Sequence, residues 1–533
     1  MKLVNYDPSW TEKGYEIPEY DRDQVRKATK ENPTWIHFGA GNIFRGFPAA
    51  GLDKMLNNGE YDKGIIVAEG FDYEIIEKAY KPYDDLSLLV LLKADGTIDK
   101  KVIGSVVESI AADAEEADQW ERLQEIFKNP SLQMASLTIT EKGYSLVDSQ
   151  GECTSVVKDD FKKGPKNPAH TMGKITSLLY ERYKAGKAPI SMVSMDNASH
   201  NGDILKASID AYAKAWVEGG FFEEGFIDYI NNKSKVGFPW SMIDKITPRP
   251  DDNVKKMLEE DDFKDTELII TDKNTYTAPF VNAEETEYLV IEESFPNGRP
   301  PLEKAGFIFT DQETVDKVER MKVCTCLNPL HTALAIFGNL LSYTSIWEEM
   351  RDPELVKLVN KIGYDEGMPV VVNPVVIDPE DFIRDVLELR LPNPFMPDSL
   401  QRIATDTSQK LSIRFGETIK AYDKSDELDV KDLVYIPLTL AGYCRYLMGI
   451  DDNGEEFTPS PDPLLEELQG YVKDVRLGDT EIEEDLLKPI LSNDKIFGVD
   501  LYEVGLGEKI EGMFLELIAG KGAVRKTLKK YLD

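Results

Sequence analysis

Hydrophobic and polar positions follow two different rhythms along this chain, and the rhythm changes near residue 310. Before that point, short apolar, β-prone runs at 34–38, 65–68, 88–92, 135–139, 190–194 and 267–271 are separated by stretches of helical spacing such as 118–127 and 173–183. Parallel strands need a crossover that covers a sheet face, so a short buried run followed by an amphipathic helix signals a βαβ unit. The alternation predicts an α/β fold built on a mostly parallel, doubly wound sheet. Phe295-Pro296-Asn297-Gly298-Arg299-Pro300-Pro301 is rich in turn formers and marks the approach to a boundary. Beyond it helical patterns dominate, at 313–320, 328–343, 353–362, 379–388, 399–404, 413–421, 433–447 and 464–471. A chain of 533 residues exceeds what one core usually supports. The expected organisation is an α/β domain over 1–308 and a mainly α-helical domain over 309–533.

Chemistry enters at the first strand. The run 34–38 leads directly into Gly39-Ala40-Gly41-Asn42-Ile43-Phe44-Arg45-Gly46. Glycines at a strand-to-helix turn permit a tight bend and close backbone approach to a pyrophosphate, and the following helix offers its first amides, here those of Asn42 and Ile43. Phe44 stands where the usual fingerprint has a third glycine, and Arg45 follows it. The second apolar run ends in Glu69, with Asp72 close behind. An acid there can accept from the ribose hydroxyls and repels a 2′-phosphate, so the expected cofactor is NAD rather than NADP.

Three further segments carry candidate groups. Lys322-Val323-Cys324-Thr325-Cys326-Leu327-Asn328-Pro329-Leu330-His331 places a base, an amide and one of only four histidines in one stretch. Asn328 and His331 share a helix face. Carbinol–carbonyl interconversion needs a lysine that can lose its proton beside groups that hydrogen-bond an oxygen. Asp196-Asn197-Ala198-Ser199-His200-Asn201-Gly202 follows a strand, at the end where open α/β sheets take ligands. Arg402 and Lys410 bracket hydroxyls and amides that could clasp hydroxyls or a carboxylate.

Charge and cysteine usage exclude several classes. The net charge is −35 with no basic stripe, which argues against nucleic acid. Four cysteines form no disulfide framework, and Cys324 and Cys326, two apart on a helix, cannot share a metal. The N-terminus lacks a signal peptide's apolar core, and the apolar runs noted above are too short to span a bilayer. A cytoplasmic protein acting on a small molecule, with neither membrane nor nucleic-acid partner, is expected.

Taken in order, these motifs resemble the polyol-specific long-chain dehydrogenases. That family includes mannitol 2-dehydrogenases, fructuronate reductases (mannonate oxidoreductases) and tagaturonate reductases. The resemblance rests on His37-Phe38-Gly39-Ala40-Gly41 with Phe44 and Arg45, on 137–144 and 196–202, on 241–248 and 295–301, and on 328–335 and 408–411. It implies a Rossmann-like N-terminal domain, a helical C-terminal domain, and metal-free hydride transfer between a nicotinamide cofactor and a secondary alcohol. It also implies roles: Lys322 as catalytic base, Asn197 and Asn328 as oxyanion holders, His331 as assistant and Glu319 in proton passage. Asp244, Arg402 and Lys410 become substrate contacts, and His200 is a further candidate. One departure stands out, because five residues separate Lys322 from Asn328 where the family has four. Either a π-bulge absorbs the extra residue, or Lys322 lies in a non-helical lead-in, or Val323 takes the family's lysine position. Two cations in so acidic a chain favour a sugar acid of the fructuronate/mannonate type. A neutral polyol such as mannitol is the alternative, and a non-catalytic cofactor- or sugar-binding regulator is the alternative of another class.

Overall fold

The structure, a computed structural model, describes residues 1–483 and 485–533. The chain divides into two compact units, Met1–Lys93 with Thr97–Asp316, and Ala94–Gly96 with Lys317–Asp533. In the first unit six strands form one sheet: β1 (Trp35–Phe38), β2 (Ile65–Glu69), β3 (Val106–Ala111), β4 (Met134–Leu137), β5 (Ile190–Ser194) and β6 (Val236–Gly237). Their order is β3-β2-β1-β4-β5-β6, with every neighbouring pair parallel. The winding reverses between β1 and β4. That is the switch point beyond which doubly wound sheets bind ligands, at the C-terminal ends of their strands.

Successive side chains of a strand face opposite sides, and each side of this sheet has its own core. Ile36, Phe38, Ile66, Ala135 and Met192 pack on one face. Trp35, Val67, Met134 and Val193 pack on the other. His37 is wholly buried in β1, where its ring nitrogens meet Ser136 Oγ at 2.6 Å and Thr138 Oγ1 at 2.8 Å. Burial lowers its pKa to about 3, so the ring is neutral and joins β1 to β4.

Two expected strands lie elsewhere. Residues 88–92 belong to Ser87–Leu92, which pairs antiparallel with Ile98–Ile103 in a separate four-stranded sheet. The run 267–271 yields only Ile269–Ile270, paired with Tyr276–Thr277 as a two-stranded ribbon. Both runs are apolar enough to be strands, but pairing partners are set by the chain's path and not by composition.

The second unit is helical. Its helices include Asn328–Leu340, Pro353–Asn360, Pro379–Asp385, Leu400–Ala404, Glu417–Asp423 and Tyr435–Tyr446. Several are extended by π turns, at Lys361–Gly367, Val386–Arg390 and Ser412–Gly416. Asn328–Leu340 is apolar on nearly every side and packs against Leu400–Ala404 and Tyr435–Tyr446. Gly338 lets another group approach it: a Cβ there would stand 1.6 Å from Glu349 Oε1.

Glu349 is fully buried, and neither carboxyl oxygen has a hydrogen-bond partner. Burial first, then the nearby Asp352 and Glu348, raise its pKa well above 4.5. The folded state therefore binds a proton that the unfolded chain releases near pH 4.5. Its stabilising share is complete below that value and declines as pH rises towards the folded pKa. In denaturant unfolding, Glu349→Gln is expected to reduce the loss of stability between pH 5 and pH 8. The variant should therefore compare more favourably with wild type at pH 8 than at pH 5. Identical pH dependence in both proteins would show that Glu349 does not titrate in this way.

Candidate active site

The turn after β1 is shaped by close backbone contact. Gly39 has φ +105°, and a Cβ on it would lie 2.1 Å from the Thr138 carbonyl oxygen. Only glycine can bring the ends of β1 and β4 so close. Gly41 differs, with φ −79° and nothing within 4 Å of an added Cβ. It caps the short helix Asn42–Gly46 without a side-chain acceptor, so no side chain satisfies the helix's leading amides. The open space at Gly41 fits the pyrophosphate of a dinucleotide.

Glu69, at the end of β2, borders the same turn. Its Oε2 accepts from the Ala40 amide at 2.8 Å, and its Oε1 accepts from the amides of Phe71 and Asp72 at 2.9 and 3.2 Å. The carboxylate thus pins two loops together where a ribose is expected. Three of the expected cofactor contacts are turned inward instead. Phe44 is buried and stacks on His37 with centroids 4.2 Å apart. Arg45 is also buried, and it donates to Ala278 O, Thr277 Oγ1 and Asn42 Oδ1. Asp72 accepts from Thr271 and Thr275 hydroxyls at 2.6 and 2.5 Å. In this structure Arg45 and Asp72 hold the loops through partners within the protein.

The segment after β5 is anchored by its neighbours. Asp196 accepts from the amides of Ile139 and Thr140 and from the Tyr144 hydroxyl. Asn201 ties the strand end to Ser241: its Nδ2 donates to Asp196 O, Ser241 O and Ser241 Oγ, and its Oδ1 accepts from the Ser241 amide. Between them Asn197 is exposed. His200 takes the left-handed conformation, φ 51°. Its ring stacks on Trp240 at 3.9 Å and lies 3.1 Å from Asp316 Oδ1. Asp244, buried, ends the strand Ser241–Asp244.

In the second unit the backbone widens where the extra residue lies. Lys322–Cys326 is a π turn, with the Leu327 amide donating to the Lys322 carbonyl at 3.1 Å. An i→i+5 turn takes up one residue more than an α-turn, which meets the expectation that regular helical geometry breaks between Lys322 and Asn328. Lys322 is 4% exposed, whereas Val323 and Glu319 are half-buried. Asn328 opens the next helix, and its carbonyl accepts from Thr332 Oγ1 at 2.9 Å.

His331, one turn along, has Nε2 3.4 Å from Asp398 Oδ2. The contact is long and misaligned for a hydrogen bond, which leaves the ring nitrogen without a partner. Arg402 pairs with the other oxygen of Asp398. Burial opposes ionisation of Asp398, but His331, Arg402 and Arg390 hold its carboxyl below the usual range.

Two further cations stand nearby. Lys410 donates to Thr405 O at 2.5 Å, and burial followed by the charge of Arg414 lowers its pKa. Arg414 donates to Thr332 Oγ1 at 2.6 Å, and burial lowers its pKa to about 10. Among the described residues neither forms an ion pair. Sequence reasoning missed Asp398 and Arg414. The i,i+4 spacing of Arg414 from Lys410 was a usable signal, whereas Asp398 sits in a turn-like Pro-Asp-Ser with none.

A parallel sheet in this order, with a glycine turn at its switch point and an acid ending its second strand, is the arrangement of a Rossmann-type dinucleotide-binding domain. Residues 33–304 match the mannitol dehydrogenase Rossmann domain and residues 314–516 the mannitol dehydrogenase C-terminal domain. The chain belongs to the mannitol dehydrogenase family. It is 56% identical to a D-mannonate oxidoreductase of Thermotoga maritima, over 98% of this chain and 96% of that protein. It is 28% identical to a mannitol 2-dehydrogenase of Pyricularia oryzae, over 98% and 96%. Among solved structures it resembles Pseudomonas fluorescens mannitol 2-dehydrogenase in ternary complex with NAD and D-mannitol. That match has a TM-score of 0.68 and 27% identity, covering 100% of this chain and 99% of that one.

The two glycines separate fold from binding. Gly39→Ala should destabilise the protein by at least ~1–3 kcal/mol through forced strain. Gly41→Ala should stay within about 1 kcal/mol of wild type, the range of a cap substitution, but weaken dinucleotide binding by filling the open space. Thermal unfolding and nucleotide titration of both variants check this, and an undiminished affinity in Gly41→Ala would contradict the assigned pyrophosphate position.

Proposed function

We propose that this enzyme is an NAD-dependent oxidoreductase of a sugar acid, interconverting a ketose-type uronate and its aldonate as in the fructuronate/mannonate pair. The observation that carries the substrate class is the 56% identity to a D-mannonate oxidoreductase over 98% of the chain. The charge pattern supports it. Lys410 and Arg414 are cations without an ion-pair partner among the described residues, in a chain of net charge −35. Both are half-buried, and a substrate carboxylate would supply the partner they lack.

On this reading residues 1–308 bind NAD and residues 309–533 bind the substrate. The bound nicotinamide supplies or accepts the hydride. Gly41, Asn42 and Ile43 hold the pyrophosphate by backbone amides, and Glu69 faces the ribose. Lys322 Nζ takes the carbinol O–H proton as the C–H hydride departs, so the alcohol becomes a ketone. Asn197 and Asn328 donate to the developing oxyanion, His331 orients the same oxygen, and Glu319 passes the proton onward. Asp244, His200, Arg402 and Lys410 contact the substrate. Arg402 reaches a ligand only by sharing or leaving Asp398. We place the protein in the cytoplasm, without a nucleic-acid or membrane partner. One helical run, Gln312–Leu340, is long and apolar enough to cross a membrane, and 78% of its most apolar window is buried in the fold, as in the core helix of a globular protein.

Absorbance of the reduced nicotinamide, followed in parallel with mannonate, altronate and mannitol, tests the substrate class. Oxidation of an aldonate with little turnover of mannitol is expected. Efficient mannitol oxidation with neither acid turned over would replace this reading with a mannitol 2-dehydrogenase. Lys322→Ala should lower turnover by about 10²–10⁴-fold, the usual range for a proton-transfer group, with NADH affinity near normal. Full turnover in that variant would remove Lys322 from the mechanism.

A further inference from the structure

Phe71 is an aromatic ring left in water at a place where the chain is otherwise tightly held. It is 65% exposed, and it stands two residues beyond Glu69, the acid that closes β2. Loose packing does not explain the exposure. Glu69 Oε1 holds the amides of Phe71 and Asp72. From below, Lys174, 2% exposed, donates to the Gly70 carbonyl at 2.7 Å and to the Tyr73 hydroxyl. From the ribbon Ile269–Ile270/Tyr276–Thr277, the connecting loop adds Thr271 and Thr275 on Asp72 and the Asp272 amide on Glu74. Lys273 in that loop donates to the Phe71 carbonyl. Its ammonium also lies 3.9 Å from the centre of the Phe71 ring. A cation on one face favours one ring orientation, while most of the residue's surface stays accessible.

We propose that Phe71, oriented by Lys273, is the stacking seat for the adenine ring of the coenzyme. The proposal rests on the dinucleotide reading of the site. In a sheet of this order the ribose lies at the acid ending the second strand, and the base extends past it, along the loop that carries Phe71. A purine has an apolar face of the right extent, and stacking on an aromatic ring needs no base-specific hydrogen bond. The loop is already ordered by its hydrogen bonds, so the ring need not be immobilised on binding. A ribbon of two residues per strand is weak alone. Its ties to Asp72, Glu74 and Phe71 give it a role, because they couple the ribbon to the base-binding loop.

The test is a fluorescence titration of wild type, Phe71→Ala, Phe71→Trp and Lys273→Met with NADH and with reduced nicotinamide mononucleotide, which lacks the adenosine half. Phe71→Ala is expected to weaken NADH by about 10-fold and to leave the mononucleotide's affinity and the unliganded melting temperature unchanged. Phe71→Trp should retain NADH affinity within about twofold, and Lys273→Met should weaken NADH by a smaller factor than Phe71→Ala. NADH binding as tight in Phe71→Ala as in wild type would overturn the proposal. Equal losses for NADH and the mononucleotide would overturn it too, because they would place Phe71 in loop structure. Wild-type protein that bound neither nucleotide would instead overturn the dinucleotide reading beneath it.

Discussion

Much of the first unit follows from one hydrogen bond, from the Ala40 amide to the Glu69 carboxylate, made beside a residue that can only be glycine. The bond joins the ends of β1 and β2, while Gly39 presses against the Thr138 carbonyl and joins β1 to β4. A buried carboxylate needs hydrogen-bond partners, and here they are three backbone amides of two loops. The helix that follows, Asn42–Gly46, has no side-chain cap. His37 serves the strand bodies as Glu69 serves their ends, a neutral imidazole bridging Ser136 and Thr138 where a charged one could not be tolerated.

What was legible in the sequence was whatever local apolarity decides. β1, β2, β4 and β5 were visible because each is a run of four or five buried residues on both faces of a parallel sheet. β3 was not, because Glu108 and Ser109 break the run at an edge strand that needs less apolar surface. β6 has only two residues. The inward turn of Arg45 was also out of reach: its partners, Thr277 and Ala278, lie more than two hundred residues away in sequence. Glu69 could be named from its position alone, whereas the partners of Asp72 lie on a ribbon that composition misassigned to the main sheet.

The π turn at Lys322–Cys326 shows how a helical region absorbs an added residue. Hydrophobic spacing scarcely registers such a turn, because the apolar pattern resumes one position later and the neighbouring helices still see a buried face. Among the described residues four π turns occur in the second unit, and three of them extend stretches whose helical spacing is continuous in the sequence. The one at Lys322 differs in consequence. It ends at Leu327, with φ −130°, so Asn328 begins a fresh helix with its own first turn. The side chain of Asn328 is therefore set by that new start, and Thr332 and Arg414 hold the start from behind through the Asn328 carbonyl.

Charge gives the last step. An acidic protein repels an anionic substrate at long range, but screening confines that repulsion to roughly 8 Å at physiological salt, so local groups decide binding. Near His331 those groups are Arg402, already neutralised by Asp398, and Lys410 with Arg414, which are not neutralised. Had this region evolved to hold a neutral polyol, a carboxylate placed against Arg414 would remove the cost of burying an unpaired guanidinium without excluding hydroxyl groups. None is placed there among the described residues, which suits the proposed substrate, an acid that carries its own carboxylate.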